Sequence, residues 1–296
     1  MTESASVGST IPRRTLGIAL RKARENAKVT MAEAAGVIGQ TVQSLRRIER
    51  GTVSTPKGKV TLLCMRYGVP DSTRAVLEEL AGETRSKGWW HSYGDAVPTW
   101  FELYVALEQT ADRLRTFEPW LIPGLLQDAA YMETAILAVD PDLTPEQLAA
   151  RVEVRRSRQR QLTRASPQPS RLEVIIAESA LRVALPEGVM RSQLRHLLRV
   201  AGLSNVSVRV LPLSVGLHRA SQISGFVLLD FPLENGHRPP STIYLESQIQ
   251  GMYLDRPQDL NRYRQVWKGL DATALDQSRS AALMSRRLKE LSDSEC

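Results

Sequence analysis

One stretch limits what this chain can fold into more than any other: residues 30 to 51, TMAEAAGVIGQTVQSLRRIERG. It carries two helix-start signals and two glycines, each placed where a short helix would have to begin or end. Thr30 has Glu33 three residues on, the spacing at which a hydroxyl and a carboxylate satisfy two otherwise unpaired backbone N–H groups. Ala34, Ala35 and Ile38 then share a face small enough for close packing, and Gly39 supplies the freedom for a sharp turn. Thr41 is placed to cap a second helix in which Leu45 and Ile48 face inward, leaving Val42, Gln43, Ser44, Arg46 and Arg47 outward. Gly51 ends that helix in a left-handed position. Two short helices joined by a tight glycine turn make a helix-turn-helix.

The outward side chains suit a groove of duplex DNA. Glutamine can bond adenine with two hydrogen bonds, serine either base, a valine methyl can touch the thymine methyl, and arginine reaches guanine or phosphate. Charge points the same way. Residues 1 to 87 contain fifteen Lys and Arg against eight Asp and Glu, a net of +7, whereas residues 88 to 296 contain twenty-four of each. All the excess positive charge therefore lies in the first third, where phosphates would be neutralised.

With these residues in view, the segment resembles the Cro and phage-repressor type of helix-turn-helix, the xenobiotic-response-element family, with RIERG as the most specific signature. The likeness runs from about Leu16 to about Val69 and implies an N-terminal all-α five-helix domain. It also implies a structural pair between an arginine of the first helix, here Arg24, and the glutamate of the closing motif, here Glu49. Where the family often has a phosphate-contacting glutamine after the first cap, this chain has Met31. The expected DNA-facing set is Thr30, Met31, Gln40, Thr41, Val42, Gln43, Ser44, Arg46, Arg47, Lys57 and Lys59.

Around this motif the expected layout is a disordered tail over residues 1–12, a helix-turn-helix domain over 13–87 and an α+β domain over 88–296. Helix one is expected from about Arg13 to Ala27. TPKGK reads as a loop that rests Lys57 and Lys59 on the DNA backbone, Thr61 to Tyr67 as a fourth helix, and Asp71 as the cap of a fifth running to about Arg85. At the junction 88–100, Trp89, Trp90, Tyr93 and Trp100 read as anchors of one domain on the other, with an aromatic ligand pocket as the alternative.

In the second domain, Leu103, Leu107, Ala111 and Leu114 recur at helical spacing from Phe101 to Arg115, with Glu108 among them. FEPWLIPGLLQ opens on prolines that forbid helix, and helix resumes near Leu125. Thr144 and Pro145 start another helix, reaching about Thr163. Its Arg151, Arg155, Arg156, Arg158 and Arg160, with Glu153, read as a solvated face pairing with acids elsewhere, a second DNA contact being the alternative. LEVIIAES, VSVRVLP, GFVLLDF and TIYLE form four β-rich runs, separated by a Met190 to Val200 helix and by loops. They suggest a small sheet flanked by helices. Leu260, Tyr263, Trp267 and Leu270, then Leu283, Met284, Leu288 and Leu291, mark two C-terminal helices that either pack within the chain or form a dimer seam.

The phrase FEPWLIPGLLQ with AYMETAI, followed by MRSQLRHLL, NVSVRVLP and the strand before YLES, resembles a C-terminal domain of unknown function found behind the same helix-turn-helix in actinobacterial regulators. That resemblance implies a transcriptional regulator, often likened to antitoxins and encoded beside a small partner protein. The leading expectation is thus a dimeric, sequence-specific DNA-binding regulator whose second domain dimerises and senses a ligand or partner. The alternative is an antitoxin-like interaction module that binds a small partner protein and autoregulates its operon.

The rest of the sequence narrows the class. At 296 residues, with 42% hydrophobic and 24% charged residues, two globular domains are expected. No run approaches the roughly 18 apolar residues of a membrane span, and MTESASVGSTIPRR lacks the apolar core of a secretory signal, so a cytoplasmic, nucleoid-associated protein is expected. Two cysteines, Cys64 and Cys296, are too few for a disulfide framework or thiolate metal site. His91, His196, His218 and His237 lack zinc-ligand spacing, and no nucleotide or hydrolase motif occurs, so neither enzyme nor cofactor is expected. Glu173, Glu178 and Glu246, on or beside strands, read as solvated at strand edges, polarisation of a ligand being the alternative.

Overall fold

Helix endings organise the first of the two units into which the chain divides, Met1–Ser92 and Tyr93–Cys296. The computed structural model describes residues 10–83, 99–165, 168–233, 239–247 and 251–293. In the first unit these form α1 (Thr10–Asn26), α2 (Met31–Val37), α3 (Val42–Glu49), α4 (Lys57–Tyr67) and α5 (Asp71–Glu83). The first four close in the same way. Lys28, Gly39, Gly51 and Gly68 take left-handed conformations. The next N–H in each case reaches back five residues: Val29 to Arg24, Gln40 to Ala35, Thr52 to Arg47 and Val69 to Cys64, at 2.9 to 3.1 Å. Lys28 does this without glycine's freedom.

The four turns fold the helices around one core of Leu16, Leu20, Ala34, Ala35, Ile38, Leu45, Ile48, Leu63 and Cys64. One contact is made by backbone alone. A Cβ on Gly17 would stand 2.5 Å from the carbonyl oxygen of Ile48 and 2.9 Å from that of Glu49. The middle of α1 therefore rests directly on the end of α3, at a distance only glycine permits.

Some boundaries differ from the sequence reading. α1 begins at Thr10, inside the expected tail, and ends at Asn26. α4 begins at Lys57 instead of Thr61, because Pro56 occupies the cap and its carbonyl accepts the N–H groups of Lys59 and Val60; Gly58 sits in the first turn, where few helical bonds are at stake. Asp71 is the first residue of α5, since the Pro70 carbonyl receives the Arg74 N–H at 2.8 Å. Arg85, the aromatic residues Trp89, Trp90 and Tyr93, and the side chain of Trp100 lie outside the described residues, as do His91 and His237.

The second unit runs α6 (Thr99–Thr110), β1 (Arg113–Glu118), α7 (Ala129–Val139), α8 (Pro145–Gln159), β2 (Arg171–Ala177), α9 (Val189–Val200), β3 (Val206–Leu211), β4 (Phe226–Asp230), β5 (Thr242–Glu246), β6 (Gly251–Leu254), α10 (Pro257–Thr273) and α11 (Gln277–Asp293). It is an α+β unit built on a six-stranded sheet of order β3-β2-β1-β4-β5-β6. β1, β2 and β3 are parallel, and the remaining pairs antiparallel. Phe117, Ile175, Leu211, Phe226, Leu228 and Ile243 pack with Leu260, Trp267 and Leu270 of α10. Leu114, Val174, Ile176, Val208 and Val210, which alternate with the first set, are buried too, as strands covered on both faces require. The β3 edge is closed by α11 and the turn before it: the Val210 N–H donates to Ser280 Oγ and its carbonyl accepts the Leu275 N–H, each at 2.9 Å.

Six strands replace the four expected. The helix expected through Arg115 stops at Thr110, and Leu114 and Arg115 belong to β1, where alternation of RLRTFE and pairing on two sides outweigh helical spacing. The arginine run of α8 is not uniformly solvated. Arg158 is buried and grips the fully buried Glu108 through Nε and Nη2 at 2.9 and 2.7 Å, and it lies over the rings of Phe101 and Tyr104. Arg151 pairs with Asp140, Arg160 with Glu153, and Arg155 with the Gln127 amide. Glu173 lies on the interior strand β2, accepting from Arg113 and Arg171, while buried Glu178 accepts from Arg182 and the Leu213 N–H. Neither is a solvated strand edge. Leu260, Trp267, Leu270, Leu283 and Met284 are buried within this one chain, while Tyr263, Leu288 and Leu291 of the same stripes are half-buried.

Gly17→Ala would force α1 off the end of α3. The expected cost is about 1–3 kcal/mol, read as a lowered midpoint in chemical denaturation of the full chain.

Candidate nucleic-acid interface

The geometry of the helix-turn-helix begins with its caps. Thr30 accepts the Glu33 N–H at 3.2 Å, while the Glu33 carboxylate accepts the Thr30 N–H at 2.9 Å. This reciprocal box holds the Glu33 carboxyl below its usual range. Thr41 accepts the Ser44 N–H at 3.1 Å, and the two hydroxyls lie 3.1 Å apart, so Ser44 is oriented by the same cap. Gln40 is exposed and its amide donates to the Gly39 carbonyl at 3.2 Å.

The far end of α3 is held by charge. Arg24 presents its guanidinium edge to Glu49, Nε to Oε1 at 2.6 Å and Nη2 to Oε2 at 2.9 Å, and Nη1 donates to the Val29 carbonyl at 3.3 Å. Both side chains are buried. The hydrogen bond to Glu49 holds Arg24 even more firmly protonated than a free guanidinium. Beside it, burial raises the Tyr67 phenol above its ordinary range and pushes the Cys64 thiol up to about 11, so Cys64 is an inert core residue.

Clamped at both ends, α3 turns Leu45 and Ile48 inward and leaves Gln43, Arg46 and Arg47 exposed. None of these three side chains makes a hydrogen bond or ion pair among the described residues. Met31 and Val42 are half-buried against the core, so part of each serves packing. Lys57 and Lys59 sit in the first turn of α4, not on a loop; Lys57, itself exposed, also lies 3.6 Å from the half-buried Glu78. Exposed Arg50, the C-cap of α3, was passed over in the sequence reading, although it is part of RIERG. Gly17 carried no local signal at all, because its role depends on the backbone of Ile48 and Glu49, far along the chain.

This arrangement is a helix-turn-helix, the architecture of a DNA-binding domain. Residues 15–80 match the family model described as a helix-turn-helix domain. Residues 101–286, well over half of the chain, match the model of a domain of unknown function, DUF5753, and the chain belongs to that family. No curated protein and no solved structure matched. Among the described residues no helix is long and apolar enough to cross a membrane.

Removing either half of the Arg24–Glu49 fork strands a buried charge. Glu49→Ala and Arg24→Ala should each lower stability by about 3–5 kcal/mol, and the double variant by clearly less than their sum, measured as a denaturation cycle.

Proposed function

We propose that the protein is a sequence-specific transcription regulator that lays α3 in the major groove of duplex DNA as a homodimer. What carries this reading is the exposed row Gln43, Arg46 and Arg47, left without partners among the described residues on a helix whose two ends are fixed. Side chains held in place but unsatisfied are ready to exchange water for base edges and phosphates at little ordering cost. In this reading Gln43 and Ser44 read bases with the Val42 methyls, while Arg46 and Arg47 reach guanine or phosphate.

Phosphates on either side would be taken by Lys57 and Lys59, by Gln40, and by the exposed ends of α2 and α3 at Thr30, Met31 and Thr41. The +7 charge of residues 1–87 against the neutral remainder supports this division of labour. Two copies would read half-sites about one helical turn apart. The α+β unit would supply dimerisation and control by a ligand or small partner, and the protein would act at the nucleoid in the cytoplasm.

The test is fluorescence anisotropy on a selected site and its single-base variants. Gln43→Ala should relax discrimination at one base position by about 1–3 kcal/mol. Lys57→Ala should weaken all sequences alike and reduce the salt slope by about 1 or less. Equal loss on every sequence for Gln43→Ala contradicts its base-reading role.

A further inference from the structure

Two helices of the second unit, α8 and α9, pack on α7, and each brings one row of side chains to its start. On α9, Ser192, His196 and Arg199 recur at the spacing of a single helix face. On α8, Arg156 and Gln159 do the same. Together with Asp128, the cap of α7, these rows line a recess of about 290 Å³.

Several polar groups around the recess are already matched, and their bonds fix its shape. Asp128 accepts the Tyr131 N–H at 2.9 Å and the Ser192 hydroxyl. The Gln159 amide donates to the Gln127 carbonyl at 2.7 Å and to the Gly124 carbonyl at 3.2 Å. Gln193 accepts the Asp128 N–H at 2.8 Å and donates to the Leu126 carbonyl at 2.7 Å, tying α9 to the approach to α7. Arg156, Arg199 and His196 are different: none makes a hydrogen bond or ion pair among the described residues. The two arginines are exposed and the histidine is half-buried. Burial lowers the His196 imidazole, with Asp128 pulling it up and Arg199 pressing it down. Arg156, from α8, is the remaining charge on the lining. At neutral pH the ring is uncharged, and two guanidiniums stand against one carboxylate that already has its donors.

We propose that this recess binds the phosphate group of a small phosphorylated molecule, held between Arg156 and Arg199 with His196 as the third donor. A phosphoryl group carries a charge of about −1.5 to −2 at neutral pH and three acceptor oxygens, one for each of these side chains. A carboxylate offers two oxygens in one plane, which a single arginine saturates. Asp128 does not close the recess to anions, because its charge is held at the N-terminus of α7 by the Tyr131 N–H and the Ser192 hydroxyl. The volume lies near the lower end of the roughly 300–1,000 Å³ of small-molecule sites, room for a phosphate on a short organic body. Duplex DNA offers the same phosphate chemistry on a convex surface, whereas these donors converge on a concavity. An anion between the arginines favours the charged imidazole, so binding takes up a proton at His196 and affinity rises as pH falls through the pKa of the bound form. Control of DNA reading by such a ligand rests on the function proposed above; the binding itself does not.

The test is calorimetry on the full-length protein, without DNA and at fixed ionic strength, using glycerol 3-phosphate, sulfate and acetate. Glycerol 3-phosphate and sulfate should bind saturably and acetate should not. Sulfate keeps both charges between about pH 5.5 and about pH 8, so tighter sulfate binding with proton uptake at the lower pH reports His196, and His196→Gln should remove that dependence. Arg156→Gln and Arg199→Gln should each weaken glycerol 3-phosphate binding about tenfold or more. Both should keep the wild-type unfolding midpoint, since neither side chain has a partner to lose among the described residues. Arg160→Gln removes the same charge from α8 at a residue that pairs with Glu153 and does not line the recess, and should leave binding unchanged. No saturable binding of glycerol 3-phosphate up to about 10 mM, acetate bound as tightly as sulfate, pH-independent sulfate affinity, or equal loss from Arg160→Gln and Arg156→Gln overturns the proposal. In a separate anisotropy measurement without phosphate, Arg156→Gln and Arg199→Gln should bind DNA like the wild type. A loss there, with no binding of glycerol 3-phosphate, assigns the row to the DNA backbone and overturns the proposal while leaving the reading by α3 intact.

Discussion

The fork between Arg24 and Glu49 decides where α3 lies. It joins the first helix to the last residue of the third, and both carboxylate oxygens are taken by one planar guanidinium. Burying such a pair contributes little net stability, because desolvation offsets most of the attraction. What it contributes is geometry. Hydrophobic contacts through Leu45 and Ile48 would tolerate some sliding of α3 along the core, whereas a bidentate fork tolerates almost none. Gly17 adds a second restraint of a different kind, a backbone contact too close for any side chain. The Thr41 cap fixes the opposite end, and the exposed row between these anchors inherits their rigidity.

The second unit uses the same device away from the helix-turn-helix. Glu108 and Arg158, fifty residues apart in the chain, form a buried fork that ties α6 to α8 beneath a layer of aromatic rings. There the pairing is complete. A satisfied fork of this kind holds elements together.

Much of the first unit was legible because its signals are local. Caps at Thr30 and Thr41, glycines at 39 and 51, and the inward Leu45 and Ile48 each depend on residues within one turn. The start of α4 was hidden because Gly58 imitates a loop, and Lys28 because nothing in a lysine announces a left-handed turn. In the second unit the leucine spacing of α6 ran on by chance into β1, whose strand character rests on pairing with β2 and β4. Arg158 looked like one of five solvated arginines until Glu108 was brought to it.

The central claim is that the exposed face of α3 reads a defined DNA sequence. Selection of bound fragments from sheared genomic DNA by the full-length protein tests it most directly. The account predicts a shared motif with two related half-sites about one helical turn apart. Recovery of fragments with no common sequence, retained in proportion to length alone, would contradict it.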